Sequence, residues 1–390
     1  MGVNSLTFEQ SAALLNLLRA EATGTNATSQ IVDTKDFVSV ATTTLATGYD
    51  PVMQAITAVI GRTIFSDRRY TGKLGILQVD NQKWGHITRK LQLSDVDWEN
   101  EDQYTLTDGT SVDPWVIRKP VALQTNFYGS DIVKRHYTVF KDQLDMAFTS
   151  PDEFGRFMAM VAGNCMDMIE QKRELTRRMT IANFIGGKVA ASNGVIHALT
   201  EYNTETGGSY TATTIMQAAN YDPFIKWLHA RMQTIADMMA ERSHLFQINI
   251  TNHVIERHTP ASDLRVIMLS KWMNDIKARV MSGTFNDDFL SMAGTEGITF
   301  WQNINEPDEI NVKPVYLNAN GTLTEATNAV NQAKIIAVMF DWEALGTTVL
   351  NEWSMASGMN PSAGYSNMFY HFNNRYWNDF TEKGAVILLD

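Results

Sequence analysis

Few residues in this chain stand at spacings that catalysis or metal binding requires. His253, Glu256 and His258 bring two imidazoles and a carboxylate close together. Their i, i+3, i+5 spacing fits neither helical zinc-protease arrangement, and the segment runs straight into Thr259 and Pro260. Gly186, Gly187 and Lys188 end like a phosphate loop but lack the upstream glycine and the following hydroxyl, and no dinucleotide-binding glycine pattern occurs. No Gly-x-Ser-x-Gly elbow exposes a serine nucleophile. Cys165, the single cysteine, falls among apolar residues at helical spacing and reads as a small buried hydrophobe. Catalytic, cofactor-binding and metal-binding residues are therefore all expected to be none.

Charge is distributed in blocks. Between 68 and 90, Arg68, Arg69, Lys73, Lys83, Arg89 and Lys90 stand against Asp80, a net +5, and Asp95, Asp97, Glu99, Glu101 and Asp102 follow with −5. Strand-like runs at 73–79 and 115–123, with a turn signal at Asp108 and Gly109, predict a long two-stranded ribbon over 66–130. Strands of about 20 residues would reach roughly 65 Å, and an isolated ribbon is marginal in water. Something else must cover it. The two blocks either set register against a neighbouring chain, pair with each other, or simply solvate the ribbon.

The element that must carry this ribbon is the stretch 151–185, which reads as one helix. Ser150 caps it, Pro151 suits the first helical position, and Asp152 and Glu153 put negative charge at the positive end of the helix dipole. Glu153 also completes a capping box, and Gly186 and Gly187 mark the stop. Phe154, Met158, Val161, Cys165, Met168, Leu175, Met179 and Ala182 form one apolar stripe, interrupted at Lys172. Such a rod would be roughly 50 Å long.

Ahead of it, Thr7 and Gln10 box a short helix, 23–49 reads as an extended arm, and Asp50 and Pro51 open a second helix running to Phe65. Behind it the pattern becomes compact α/β. A helix is expected from Asp222 and Pro223, strands at 246–250, 264–269 and 298–301, and a helix capped by Ser270. Asn320 and Gly321 signal a hairpin, 334–340 a buried strand, 341–350 a short helix, and 385–389 the last strand.

The 390 residues are 44% apolar, ample for a large core. A net charge of −11 argues against a nucleic-acid groove reader. The N-terminal residues carry no basic region followed by an apolar run, and apolar segments are short, so neither secretion nor membrane insertion is expected.

The order of parts resembles the major capsid protein of tailed bacteriophages, the HK-ninety-seven fold, and within it the phi-twenty-nine-like short-tailed branch. The resemblance spans the chain. It rests on Gly48, Tyr49, Asp50 and Pro51 leading into the helix ending at 62–65, and on Asn126, Phe127 and Tyr128 running toward Ser150 and Phe154. It implies an α+β fold with an N-terminal helix and arm (1–50), a peripheral domain (51–65 and 131–198) around the spine helix, an extended loop (66–130), an axial domain (199–333) and a return through both (334–390). It further implies a non-enzymatic subunit that self-assembles as pentamers and hexamers into an icosahedral shell around double-stranded DNA, built in the host cytoplasm. The family's lysine to asparagine cross-link has no evident place here. With only about 50 residues before the second helix, the resemblance implies a separate scaffolding protein, along with a portal, as partners. On this reading Arg68, Arg69, Arg89 and Lys90 meet 95–102 of an adjacent chain. Two rivals are an encapsulin-like compartment, which would share the fold, and a soluble α/β enzyme, which would leave ribbon and rod unexplained.

Overall fold

The computed structural model of the chain describes residues 7–24, 31–62, 72–79, 88–96, 98–99, 101–251, 255–280 and 294–390. Its helices are α1 (Phe8–Thr23), α2 (Thr34–Leu45), α3 (Tyr49–Arg62), α4 (Lys141–Ala147), α5 (Pro151–Ala190), α6 (Ala198–Thr206), α7 (Ala218–Ala240) and α8 (Ser270–Val280). The strands are β1 (Thr88–Leu93), β2 (Ala122–Phe127), β3 (Ser130–Phe140), β4 (Val195–His197), β5 (Leu264–Leu269), β6 (Thr295–Ile298) and β7 (Ile310–Val312). They continue with β8 (Val315–Leu317), β9 (Leu323–Glu325), β10 (Val330–Gln332), β11 (Ile335–Asp341), β12 (Leu345–Ala356), β13 (Tyr365–Asn378) and β14 (Gly384–Leu388).

Two hydrophobic cores share one helix. The larger surrounds a mixed five-stranded sheet, ordered β4-β14-β11-β5-β6, with α6, α7, α8 and the C-terminal half of α5 packed on it. Its middle strand β11 is buried along its whole length, as a strand covered on both faces must be, and so reads as an unbroken apolar run. The smaller core joins α1, α2, α3, α4 and the N-terminal half of α5 to one face of the antiparallel sheet β12-β13-β3. Phe37, Phe148 and Phe154 meet edge to face at its centre.

The rod is longer than its sequence signals. Ser150 caps α5 through the amide of Glu153 as expected, but the helix continues through Gly186 and Gly187 to Ala190, 40 residues in all and about 60 Å. The two glycines mark a close approach instead. A Cβ on Gly186 would stand 2.7 Å from Val312 Cγ2, and one on Gly187 2.5 Å from the Phe380 ring. We predict that Gly187→Ala lowers stability by about 1–3 kcal/mol, overpacking outweighing a helix-propensity gain of about 1 kcal/mol. Urea unfolding checks this, and a more stable variant would mean that propensity governs the position.

The apolar stripe also fails in the middle. Phe154, Met158, Val161, Cys165 and Ala182 are buried, whereas Leu175 and Met179 are 50% and 62% exposed while Glu174, Arg177 and Arg178 go inside. This polar stretch lies where the rod passes between its two cores. Arg178 grips Glu174, and its other arm reaches the Phe300 carbonyl.

Other expectations need correction. The extended arm contains α2, whose Phe37, Ala41 and Thr44 keep helical spacing beneath a threonine-rich surface. Thr42 and Thr44 donate to carbonyls four residues back and so satisfy themselves within the helix. The second helix is helical to Arg62, and 63–65 lie outside the described residues. The run 73–79 holds a single 3-10 turn at Gly75–Leu77, and 246–250 carries no named strand because Phe246 adopts φ 66. Helix α7 starts before Pro223, and 341–350 gives a turn and then β12, whose Thr347, Thr348 and Val349 are β-branched. The hairpin at Asn320 and Gly321 and the strand 264–269 form as read, and the helix expected after Ser270 forms with Ser270 as its first residue.

Candidate intersubunit surface

The ribbon is shorter than expected. β1 and β2 pair over six residues each, from Thr88 opposite Phe127 to Leu93 opposite Ala122. Between 94 and 121 the described residues carry no strand and only a single 3-10 turn at Asp102–Tyr104, so the strand expected at 115–123 gives way to β2 at Ala122–Phe127.

Two anchors hold the excursion to the body. At its entrance, carboxylates from the polar middle of α5 accept backbone amides: Glu170 from Gly72 at 3.3 Å and Glu174 from Lys73 at 2.9 Å. Glu296 accepts from Ile76 at 3.4 Å, its carboxyl pushed up by burial against the pull of that bond. Arg177 then joins Glu170 to the Gln78 side chain. This accounts for Glu170 and Glu174 on α5, since 72–76 cross the helix before the segment bridges to β12 at Gln78 and Thr347, and their amides need acceptors.

The second anchor is Lys90. Its ammonium sits 2.8 Å from Glu343 and 3.1 Å from Asp379, and also contacts Glu382, which takes a further bond from Arg257 at 3.3 Å. Burial alone would lower the Lys90 ammonium, but Asp379 and Glu382 outweigh it and hold the charge on. Lys383, in the same turn, donates to the Glu241 carbonyl beyond the end of α7.

The residues expected at an intersubunit contact therefore separate. Arg68, Arg69 and Asp97 lie outside the described residues, as does Lys83. Lys90 has its partners within the chain, all far from the acidic stretch in sequence. Asp95 accepts the Glu256 amide at 2.9 Å and pairs with Arg242, the amide bond and then the cation holding its carboxyl below the usual range. Glu99 pairs with Arg118 across the loop. Arg89, Glu101 and Asp102 remain exposed. Among the described residues the basic and acidic blocks make no ion pair with each other.

Beyond these anchors the loop shows large apolar groups to solvent. Trp98 is fully exposed, and Tyr104, Trp115 and Ile117 are 83%, 83% and 78% exposed. A second exposed surface, missed in the sequence, is the outer face of β3-β13-β12. Strict alternation buries Met368, Tyr370 and Phe372 and turns Phe369 and His371 outward. There Trp353 stacks on His371 at 3.6 Å, and His136 lies 5.7 Å from Phe369.

The sites considered for chemistry read otherwise. His253 is outside the described residues, and Glu256 faces Arg242 and His244. Among the described residues no group of three or more histidine, cysteine or acidic side chains could hold a metal ion. Burial pushes the Cys165 thiol up to about 11, which suits an inert packing residue. Among the described residues no helix is long and apolar enough to cross a membrane.

Residues 15–386 match the family model described as Phi29-like phage major capsid protein. No curated protein sequence matches the chain. Its fold is similar to the capsid structure of Staphylococcus phage Andhra, at 10% identity over 84% of this chain and 87% of that one, TM-score 0.53. A chain in the structure of the head fibre and inner core protein of bacteriophage P68 matches at 9% identity, with the same coverage and TM-score. With a rod shared by two cores, an anchored ribbon and an exposed apolar loop, the chain has the HK-ninety-seven-like fold and belongs to the Phi29-like family of phage major capsid proteins, the structural shell subunits of tailed phages.

Proposed function

We propose that this subunit assembles through the ribbon into pentamers and hexamers of an icosahedral shell that encloses double-stranded DNA. The observation that carries the reading is the 94–121 loop, which holds aromatic and aliphatic side chains in solvent on a ribbon of only six residue pairs. Such a surface is unfavourable on a single chain and marks a contact that another protein covers. Obligate interfaces of this kind exceed about 2,000 Å². Exposed Arg89, Glu101 and Asp102, with Arg68, Arg69 and Asp97, then set register between neighbours, affecting orientation more than affinity.

In this arrangement the smaller core with α5 forms the peripheral domain, the five-stranded unit the axial domain, and the role is structural with no catalysis. The acidic chain suits a wall that holds packaged duplex without gripping it. A scaffolding protein and a portal are its assembly partners, in the cytoplasm of the host. Negative-stain electron microscopy of the purified chain, with and without native lysate, tests the reading. Shells, tubes or hexameric sheets are expected, and uniform small particles under both conditions would overturn it.

A further inference from the structure

We infer that a small cavity beneath the ribbon binds one water molecule, held between Gln92 of β1 and Gln247 and Arg257 of the body, which gives the ribbon a second seat beside Lys90. This seat belongs to the single chain and does not depend on the shell reading. Along β1 the side chains alternate, so that Lys90 and Gln92 share the face turned to the body while Leu91 and Leu93 stand outward, 72% and 63% exposed. Gln92 lies opposite Leu123 of β2, and both line a cavity of about 10 Å³ whose other walls include Gln247, Arg257 and Thr381. Five polar atoms of these side chains are buried without a hydrogen bond: both ends of the Gln92 amide, Gln247 Oε1, and Nε and Nη2 of Arg257. They are five of the fifteen such atoms among the described residues, so unmet polar groups converge on this one cavity.

The bonds already made decide what the guest must be. Gln247 Nε2 donates to Asn249 Oδ1 at 2.8 Å and to the Ile255 carbonyl at 2.6 Å, which fixes the amide with its Oε1 free to accept only. Arg257 spends Nη1 on Glu382 at 3.3 Å, and its remaining edge can only donate. A guest between them must therefore accept from the guanidinium and donate to the amide oxygen. A halide or carboxylate cannot donate, and a metal ion or ammonium cannot accept. Water does both, the volume suits one molecule, and Gln92 offers a third bond whichever way its amide is turned. Thr381 is spent already, since its hydroxyl and its amide both donate to Asp379 Oδ1. The result is a closed circuit: Lys90 holds Glu382, Glu382 holds Arg257, and the water carries Arg257 back to Gln92, two residues along the same strand. One anchor lets a strand swivel, whereas two fix its direction.

The test uses the full-length, unsubstituted chain first. A density map fine enough to show ordered solvent should hold one spherical peak about 2.7–3.2 Å from Gln247 Oε1 and from the free edge of Arg257. Replacing chloride with bromide at equal ionic strength should change neither that peak nor the unfolding midpoint. In a second arm, Gln92→Leu keeps the size of the side chain but removes its polar end, and limited proteolysis within 94–121 should quicken about three- to tenfold, the worth of one net hydrogen bond. Gln124→Leu, exposed on the neighbouring strand, is the control and should leave the cutting rate unchanged. A cavity without the peak, or a peak that strengthens with bromide, would overturn the water site. Equal cutting of Gln92→Leu and the unsubstituted chain would overturn its role as a seat for the ribbon.

Discussion

Lys90→Met is expected to destabilise the folded chain by about 3–5 kcal/mol, because removing one partner leaves buried carboxylates uncompensated. Asp379 and Glu382 are 2% and 6% exposed at their side chains, and Arg257 remains to face only one of them. Burial already raises Glu382, with Lys90 and Arg257 the forces that hold it down, so the variant should also take up a proton as pH falls through the mildly acid range. Chemical unfolding of the two proteins measures the loss. Limited proteolysis adds a local readout: with its second anchor gone, the ribbon should be cut faster within 94–121 than elsewhere. A loss below about 1 kcal/mol would show that water reaches these carboxylates and that the anchor is weak.

Lys188 provides the second large effect, through pH. It is completely buried near the end of α5, donating to the Phe246 carbonyl at 2.7 Å and to Asn193 Oδ1 at 3.2 Å. Burial brings its ammonium down to about 7 from 10.5, against a weaker pull from Asp379. A base whose folded value is depressed is protonated in both states below about pH 7, where its burial penalty is fully present. Between about 7 and 10.5 the unfolded chain binds the additional proton, so stability rises with pH by about 1.4 kcal/mol per unit. Lys383, lowered in the same direction, adds to the trend in both proteins. In Lys188→Met the Lys188 share of the slope disappears, and the stability difference between the two proteins should change steadily from pH 7 to 10. A difference independent of pH would mean that Lys188 keeps its proton when folded.

Both effects rest on partners that sequence spacing does not reveal. The start of α5 was legible because a helix N-terminus is a local matter, settled by Ser150, Pro151 and the acids behind them. Its end was not, since Gly186 and Gly187 answer to Val312 and Phe380, more than a hundred residues away. Leu175 and Met179 follow the apolar period yet face solvent, because Glu170 and Glu174 are needed inside as acceptors for the segment entering the ribbon. The order of elements and the strands β5, β11 and β14 could be read from apolar runs and turn residues, whereas β4 was not anticipated and β6, expected at 298–301, lies at Thr295–Ile298. At the candidate surface the blocks revealed the sign of charge but not its destination. Lys90 is met by Glu343, Asp379 and Glu382 from the far end of the chain, and Asp95 by Arg242. The sheet face was hidden differently, in an alternation that only register turns into a row of rings.

The helix shared by two cores also has a mechanical meaning. Pulling the cores apart loads α5 along its axis, where its i to i−4 bonds bear the strain in series over 40 residues. The weakest length would be the stretch between the cores, where among the described residues Glu174, Arg177 and Arg178 replace apolar packing. There the salt bridges to Arg177 and Arg178 and the amides of Gly72 and Lys73 act as a splint. Strain that opens this splint also frees the entrance to the ribbon, so tension in the rod and slack in the loop are two readings of one gauge.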